Sequence, residues 1–524
     1  MAYDILITSG TILDGTGREP EVGDVGIKDG TIAAIGKLGG SDAALNINAL
    51  DKFVTPGFVD VTNHSDTHLT LFKYPGFDSF ISQGVTTALG GNCGGSLAPL
   101  ASHEALQAIR KWADPSQINV NWTTFEEFLR QIHDFHLAVN FGSSVGYGTL
   151  RRGLIDDEIR PLTYDEREKM RYLITESMRQ GSFGLSLGLS YGHERISTTE
   201  EIIDIAKILH GSDAVLKIHL RSEGVGLLGG VNEVIRIARE TGVSVEISHL
   251  KAIGRKSWHS FKTALELITR ANESGADINF DVSPYATTGS LLYTLLPSWS
   301  RAGGMAALFK NIDDPNMRQK MVEELKSYTL HYDRVRITSA KIKTIVGKTI
   351  AELAREAGVS PEETLINTAR ATEGRASIIG HTISPKNVTA AIMDSHALVA
   401  SDGQTSSIDE RESGDLEHPR SFGAFPHFWH RFVTDSQKLK PEIAIQKITS
   451  GPAKKFGIDK RGMLKAGNHA DIVVFDPQAF RDQSTYRDPF AYSTGLDAVI
   501  VNGKLALRDG TLTGERAGQV LRRK

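Results

Sequence analysis

Ala88-Leu89-Gly90-Gly91-Asn92-Cys93-Gly94-Gly95 contains the only cysteine in 524 residues, and the reading of this stretch decides the fold. The apolar run Val85 to Leu89 reads as a buried strand that breaks into glycines, where backbone must come close to something else. One thiol cannot form an internal disulfide, and a free cysteine by itself is commonly an inert core residue. Other strands change that reading. Leu216-Lys217-Ile218-His219 and Val245-Glu246-Ile247-Ser248-His249 also end in metal-capable side chains, and Ala397-Leu398-Val399-Ala400-Ser401-Asp402-Gly403 ends in a carboxylate. The carboxyl ends of separate strands converge on one face of a barrel, which is how a barrel enzyme assembles a zinc site.

Working outward, the middle of the chain alternates strands with helices, the pattern of a parallel sheet with right-handed crossovers. Helix starts are marked by Thr163-Tyr164-Asp165-Glu166, Thr198-Thr199-Glu200-Glu201 and Ser360-Pro361-Glu362-Glu363. Strands are expected at Phe53 to Asp60, Val85 to Gly90, Leu137 to Phe141, Phe183 to Leu187, Val215 to His219, Val243 to His249, Ile278 to Val282 and Leu398 to Asp402. Eight strands with intervening helices predict an α/β fold, a (β/α)8 TIM barrel over residues 56–460. Residues 286–345 are too long for an ordinary connection and read as an insertion overhanging the barrel mouth. Ala376 to His381 is strand-like but has no place in this scheme.

Both ends are rich in strands and tight turns, with Asp29-Gly30 and Asp509-Gly510 as hairpin signals. Residues 1–55 and 461–524 are therefore expected to form one small β-sandwich domain. Net charge is -4, no basic block occurs and no apolar run is long enough to span a bilayer, so nucleic acid and membrane are poor partners. Met1 to Ile7 lacks the basic region and the length of a signal peptide and reads as a strand, and with one cysteine the expected compartment is the cytoplasm. A homo-oligomer is compatible with the sequence.

Cys93, His219 and His249 supply three of zinc's preferred donors and leave a position for water. Bound zinc lowers the pKa of that water and polarises a carbonyl. Asp402 would take the water's proton and pass it to a leaving nitrogen, which amounts to amide hydrolysis.

Val54-Thr55-Pro56-Gly57-Phe58-Val59-Asp60, and Gly462-Met463-Leu464-Lys465-Ala466-Gly467 running into Ala470-Asp471-Ile472-Val473-Val474-Phe475, resemble the opening and closing signatures of the amidohydrolase superfamily. Gly91-Asn92-Cys93-Gly94 followed by Ser96-Leu97-Ala98-Pro99-Leu100 resembles its N-acyl-D-amino-acid deacylase branch. The resemblance implies that Cys93 takes the metal-bridging place of a carboxylated lysine, and Phe183 to Gly188 offers no lysine. It also implies that Tyr191, Lys251, Arg420, Tyr285 and Ser290 bind a substrate carboxylate, for which a guanidinium fork is well suited. Arg221 is a candidate to orient a ligand or Asp402.

The chain departs from the superfamily at Thr62-Asn63-His64, where the signature has two histidines one residue apart. His64 remains a ligand candidate, but Thr62 offers a hydroxyl that binds zinc poorly. One tight zinc is therefore expected, with the second site weakened or empty and His68 as a poorly placed substitute. Ser283 stands where the branch has a tyrosine. The expected reaction is deacylation of an N-acyl-D-amino acid or related small carboxylate-bearing amide. Hydrolysis of a dipeptide-like, carbamoyl or cyclic amide, and a non-catalytic homologue used for binding, are the alternatives.

Overall fold

The computed structural model describes residues 2–328 and 330–524. Eight parallel strand positions line the barrel: Phe58–Asp60, Val85–Gly90, Asn140–Ser143 continued by Val145–Gly146, Gly184–Gly188, Val215–His219, Ser244–Ile247, Ile278–Val282 and Ala397–Val399. The last strand closes on the first through Asp402 N–H donating to the Thr62 carbonyl (2.8 Å) and His64 N–H to the Gly403 carbonyl (2.7 Å). Ser401 N–H adds a bond to Asp60 Oδ1 at 3.0 Å. The Thr163, Thr198 and Ser360 side chains each cap the helix that follows them.

The expected strand Phe53 to Asp60 divides at Gly57. Phe53–Pro56 pairs with Ile472–Phe475 in the terminal sheet, whereas Phe58–Asp60 enters the barrel. A Cβ on Gly57 would lie 2.1 Å from Thr86 Oγ1, so only glycine lets the chain pass between the two sheets.

Strands from both termini form one nine-stranded sheet. Alternation along its strands serves two cores at once. Ile472, Val474, Ala498 and Ile500 pack with Ile5, Ile7, Val25 and Ile27, while Val473, Phe475, Val499 and Val501 join the barrel's apolar cluster.

The insertion is longer than the sequence reading of residues 286–345. Thr288–Leu291, Val335–Ser339 and Ser377–Gly380 form a three-stranded antiparallel sheet, and its separate core runs from Leu291 to Ile378. The strand-like Ala376 to His381 thus contains the middle strand of this unit. Helices Ile350–Ala357 and Pro361–Ala371 carry the same caps as barrel helices, which is why the sequence placed the boundary too early. Among the described residues no helix is long and apolar enough to cross a membrane.

Candidate metal centre

Cys93, His219 and His249 meet at the carboxyl ends of the second, fifth and sixth barrel strands, with one ligand atom of each within 4.8 Å of the others. Cys93 Sγ lies 3.2 Å from His249 Nε2, and the two imidazoles stand edge to face with centroids 4.5 Å apart. His219 Nδ1 is buried with no hydrogen-bond partner, while Nε2 lies 2.9 Å from Ser190 Oγ. A thiol, two imidazoles and an unpartnered buried ring nitrogen fit zinc. The fourth strand, Gly184–Gly188, presents no lysine.

The backbone that carries these groups is unusual. Cys93, His249 and Asp402 have φ of +52°, +41° and +55°, a left-handed conformation uncommon outside glycine. Neighbouring bonds hold them there: His249 N–H donates to Asp281 Oδ1 at 2.9 Å, and Gly91 and Gly94 N–H donate to Asp66 Oδ2 and Ser186 Oγ at 2.6 and 3.2 Å. Gly91 has φ +71°, and a Cβ there would lie 2.0 Å from the Ser144 carbonyl oxygen. Gly91→Ala is expected to cost about 3 kcal/mol of stability, from strain and overpacking together, read from the shift in a urea unfolding midpoint.

Asp402 faces this cluster through His64, whose Nε2 lies 3.1 Å from Asp402 Oδ1. Burial pushes the Asp402 carboxyl up, but Arg420, His249 and His64 outweigh it and hold the group well below the usual carboxylate range. Burial likewise opposes a Cys93 thiolate, and the surrounding imidazoles of His249, His219 and His64 overcome it. His64 is raised to about 9 against burial, by its bonds to Asp402 and Cys93.

Glu223 completes the surroundings and was not singled out in the sequence. Its carboxylate lies 3.2 Å from His249 Nδ1, 3.7 Å from His219 Nε2 and 2.7 Å from Lys251 Nζ. Burial pushes its pKa up, yet Lys251 and the two histidines hold it ionised, far below its ordinary value. It lies four residues past His219, in the loop that leads from the fifth strand to Leu227, and that spacing was its only signal. Glu223→Gln is expected to weaken zinc binding about 10–100-fold, measured by competition with a chromophoric chelator.

The residues expected to hold a substrate carboxylate fall into groups. Lys251, Tyr285 and Arg420 line one pocket together with His249, Ser283, Gly289 and Asp402. Arg420 Nη1 donates to Asp402 Oδ2, and Lys251 Nζ also bonds His249 Nδ1 at 2.8 Å. Tyr285 stacks on His427 at 4.3 Å and its hydroxyl reaches Asp482 at 3.4 Å. Tyr191 lies against the metal cluster instead, its ring 5.3 Å from that of His219, with the Lys111 ammonium 3.5 Å over its face.

Ser290 is not brought to the pocket. Its hydroxyl bonds Thr294 Oγ1 at 2.9 Å, one residue on from Gly289, the strand residue that faces Arg420. Alternation along the strand turns Ser290 the other way. Arg221 is also elsewhere, paired with Glu233 and bonded to the Arg195 and Ser197 carbonyls. His68 is tied through Nδ1 to the His64 carbonyl at 3.1 Å, and stacks on Trp112. Thr62 donates to Asp281 Oδ2 at 2.6 Å rather than facing the cluster as a free ligand.

Residues 46–506 match the model of an amidohydrolase family. D-aminoacylase of Alcaligenes xylosoxydans xylosoxydans is 31% identical over 99% of this chain and 98% of its own. Among solved structures, N-acyl-D-glutamate deacylase from Bordetella bronchiseptica, complexed with zinc and a phosphonate mimic of the reaction's tetrahedral intermediate, superposes with a TM-score of 0.83. It is 28% identical, with all of both chains covered. A D-aminoacylase structure concerned with a binuclear metal centre, one-metal activation and second-metal attenuation gives the same TM-score at 30% identity over 99% of this chain and all of that one. The converging strand ends and the extent of these matches lead to one conclusion: the chain belongs to the amidohydrolase family.

Proposed function

We propose that this protein is a zinc-dependent hydrolase that removes the acyl group from an N-acyl-D-amino acid, giving a carboxylate and a free amino acid. The observation that carries the reading is the meeting of Cys93, His219 and His249 within 4.8 Å, with Asp402 linked to them through His64. Those three residues would hold one tight zinc. When bound, zinc acidifies water and polarises the amide carbonyl.

This chain's groups do the rest. Asp402, kept ionised by Arg420, accepts a proton from water as oxygen adds to the carbonyl carbon. The same proton then passes to the nitrogen as the C–N bond breaks, so water's hydroxyl ends on the acyl carbon and both its hydrogens are accounted for.

Arg420 and Lys251 supply positive charge for the substrate's carboxylate, with Tyr285 on the same wall and Tyr191 beside His219. A Cβ at position 289 would lie 3.2 Å from Arg420 Nη2, so glycine there keeps that edge of the fork clear. Residues 1–55 and 461–524 act in this reading as one clasp on the catalytic barrel, 56–460.

The test is turnover of N-acetyl amino acids of both hands with neutral and acidic side chains. D-substrates are expected to be hydrolysed, the rate falling to background with a chelator and returning with zinc. Zinc-loaded protein that turns over none of the panel would count against the reading.

A further inference from the structure

Lys217 is 1% exposed, on the fifth barrel strand two residues before His219, and it takes no part in the chemistry described above. Its Nζ is surrounded by three oxygens: the Val61 carbonyl, Asn92 Oδ1 and, at 3.0 Å, Thr62 Oγ1. Each can only accept from it. The Asn92 amide NH2 is already used by the Asn63 and Leu89 carbonyls at 2.7 and 2.9 Å, which turns Oδ1 toward the lysine. The Thr62 hydroxyl spends its hydrogen on Asp281. Three acceptors around one nitrogen require three N–H bonds, which an ammonium has and a neutral amine lacks. An oxygen cage around a cation, built partly from residue 62 and from the neighbour of Cys93, resembles a metal site whose ion is covalently attached.

We infer that the Lys217 side chain, held by three oxygen acceptors, stands in place of a second metal, so that Thr62 and Lys217 together make the centre mononuclear. This rests on the zinc reading above and assigns a cause to its single site. Thr62 Oγ1 has its proton committed to Asp281 and accepts from Lys217, which leaves it unfit as a ligand. A divalent ion drawing on residue 62, His64, Cys93 and Asp402 would also meet a positive charge held 3.0 Å from residue 62's side-chain oxygen. Restoring a histidine at 62 therefore does not suffice while the ammonium remains.

The experiment is zinc stoichiometry of the full chain, by equilibrium dialysis against excess zinc and elemental analysis. Circular dichroism confirms that each variant is folded. Wild type is expected to hold one equivalent, Thr62→His one, and the double variant Thr62→His with Lys217→Ala two. Two equivalents in wild type or in Thr62→His, or a folded double variant that stays at one, overturn the inference. Should the double variant not fold, the Thr62→His result alone decides: one equivalent supports the inference and two refute it. A wild type that takes up no zinc refutes the zinc reading itself and the inference with it.

Discussion

Asp402→Asn is expected to lower kcat by about 10²–10⁴-fold, the usual contribution of a positioned acid/base group, while zinc content and thermal midpoint stay near wild type. Asparagine keeps the shape and one acceptor oxygen, so the bond from Arg420 Nη1 or the contact with His64 survives. What it loses is the ability to take a proton from water and return it to nitrogen. Retention of more than a tenth of kcat in a zinc-replete variant would show that another group handles the proton. Measuring metal content on the same sample separates loss of proton transfer from loss of the ion.

Cys93→Ala is expected to abolish tight zinc binding and, with it, turnover. The effect should exceed the roughly 100-fold loss of affinity that follows removal of an outer partner of a ligand. Cys93 is the one sulfur donor, and its thiolate is favoured by His249, His219 and His64 together. Cys93→Ser tests whether size or sulfur matters, since a hydroxyl of similar shape is a far weaker zinc donor. Elemental analysis after dialysis checks both variants. A Cys93→Ala protein still holding one equivalent would place the ion elsewhere.

The strands and their terminal ligands were legible because each lies in a continuous apolar run ending in a chemically distinct residue. Cys93, His219, His249 and Asp402 need only strand order to be brought together. Carboxylate-facing positions were harder. Ser290 was misplaced because the direction of a side chain depends on which face of a short inserted strand it occupies, and that register is set by pairing with Ser377–Gly380 far along the chain. Glu223 and Lys217 were passed over for a different reason. A charged residue in the loop after a histidine, or within an otherwise apolar strand, has no significance until its partners from other strands are known. Those partners, Lys251 for one and Val61, Thr62 and Asn92 for the other, are distant in sequence.

Cys93, His249 and Asp402 occupy backbone geometry in which any side chain costs about 1–2 kcal/mol relative to glycine. Bonds from Arg420 and His64 to Asp402, and the close approach of Cys93 Sγ to His249 Nε2, work against that cost. Other non-glycine residues share such φ, Leu69 and Phe77 among them, so the three side chains assigned to chemistry carry one part of a cost that is spread over the fold.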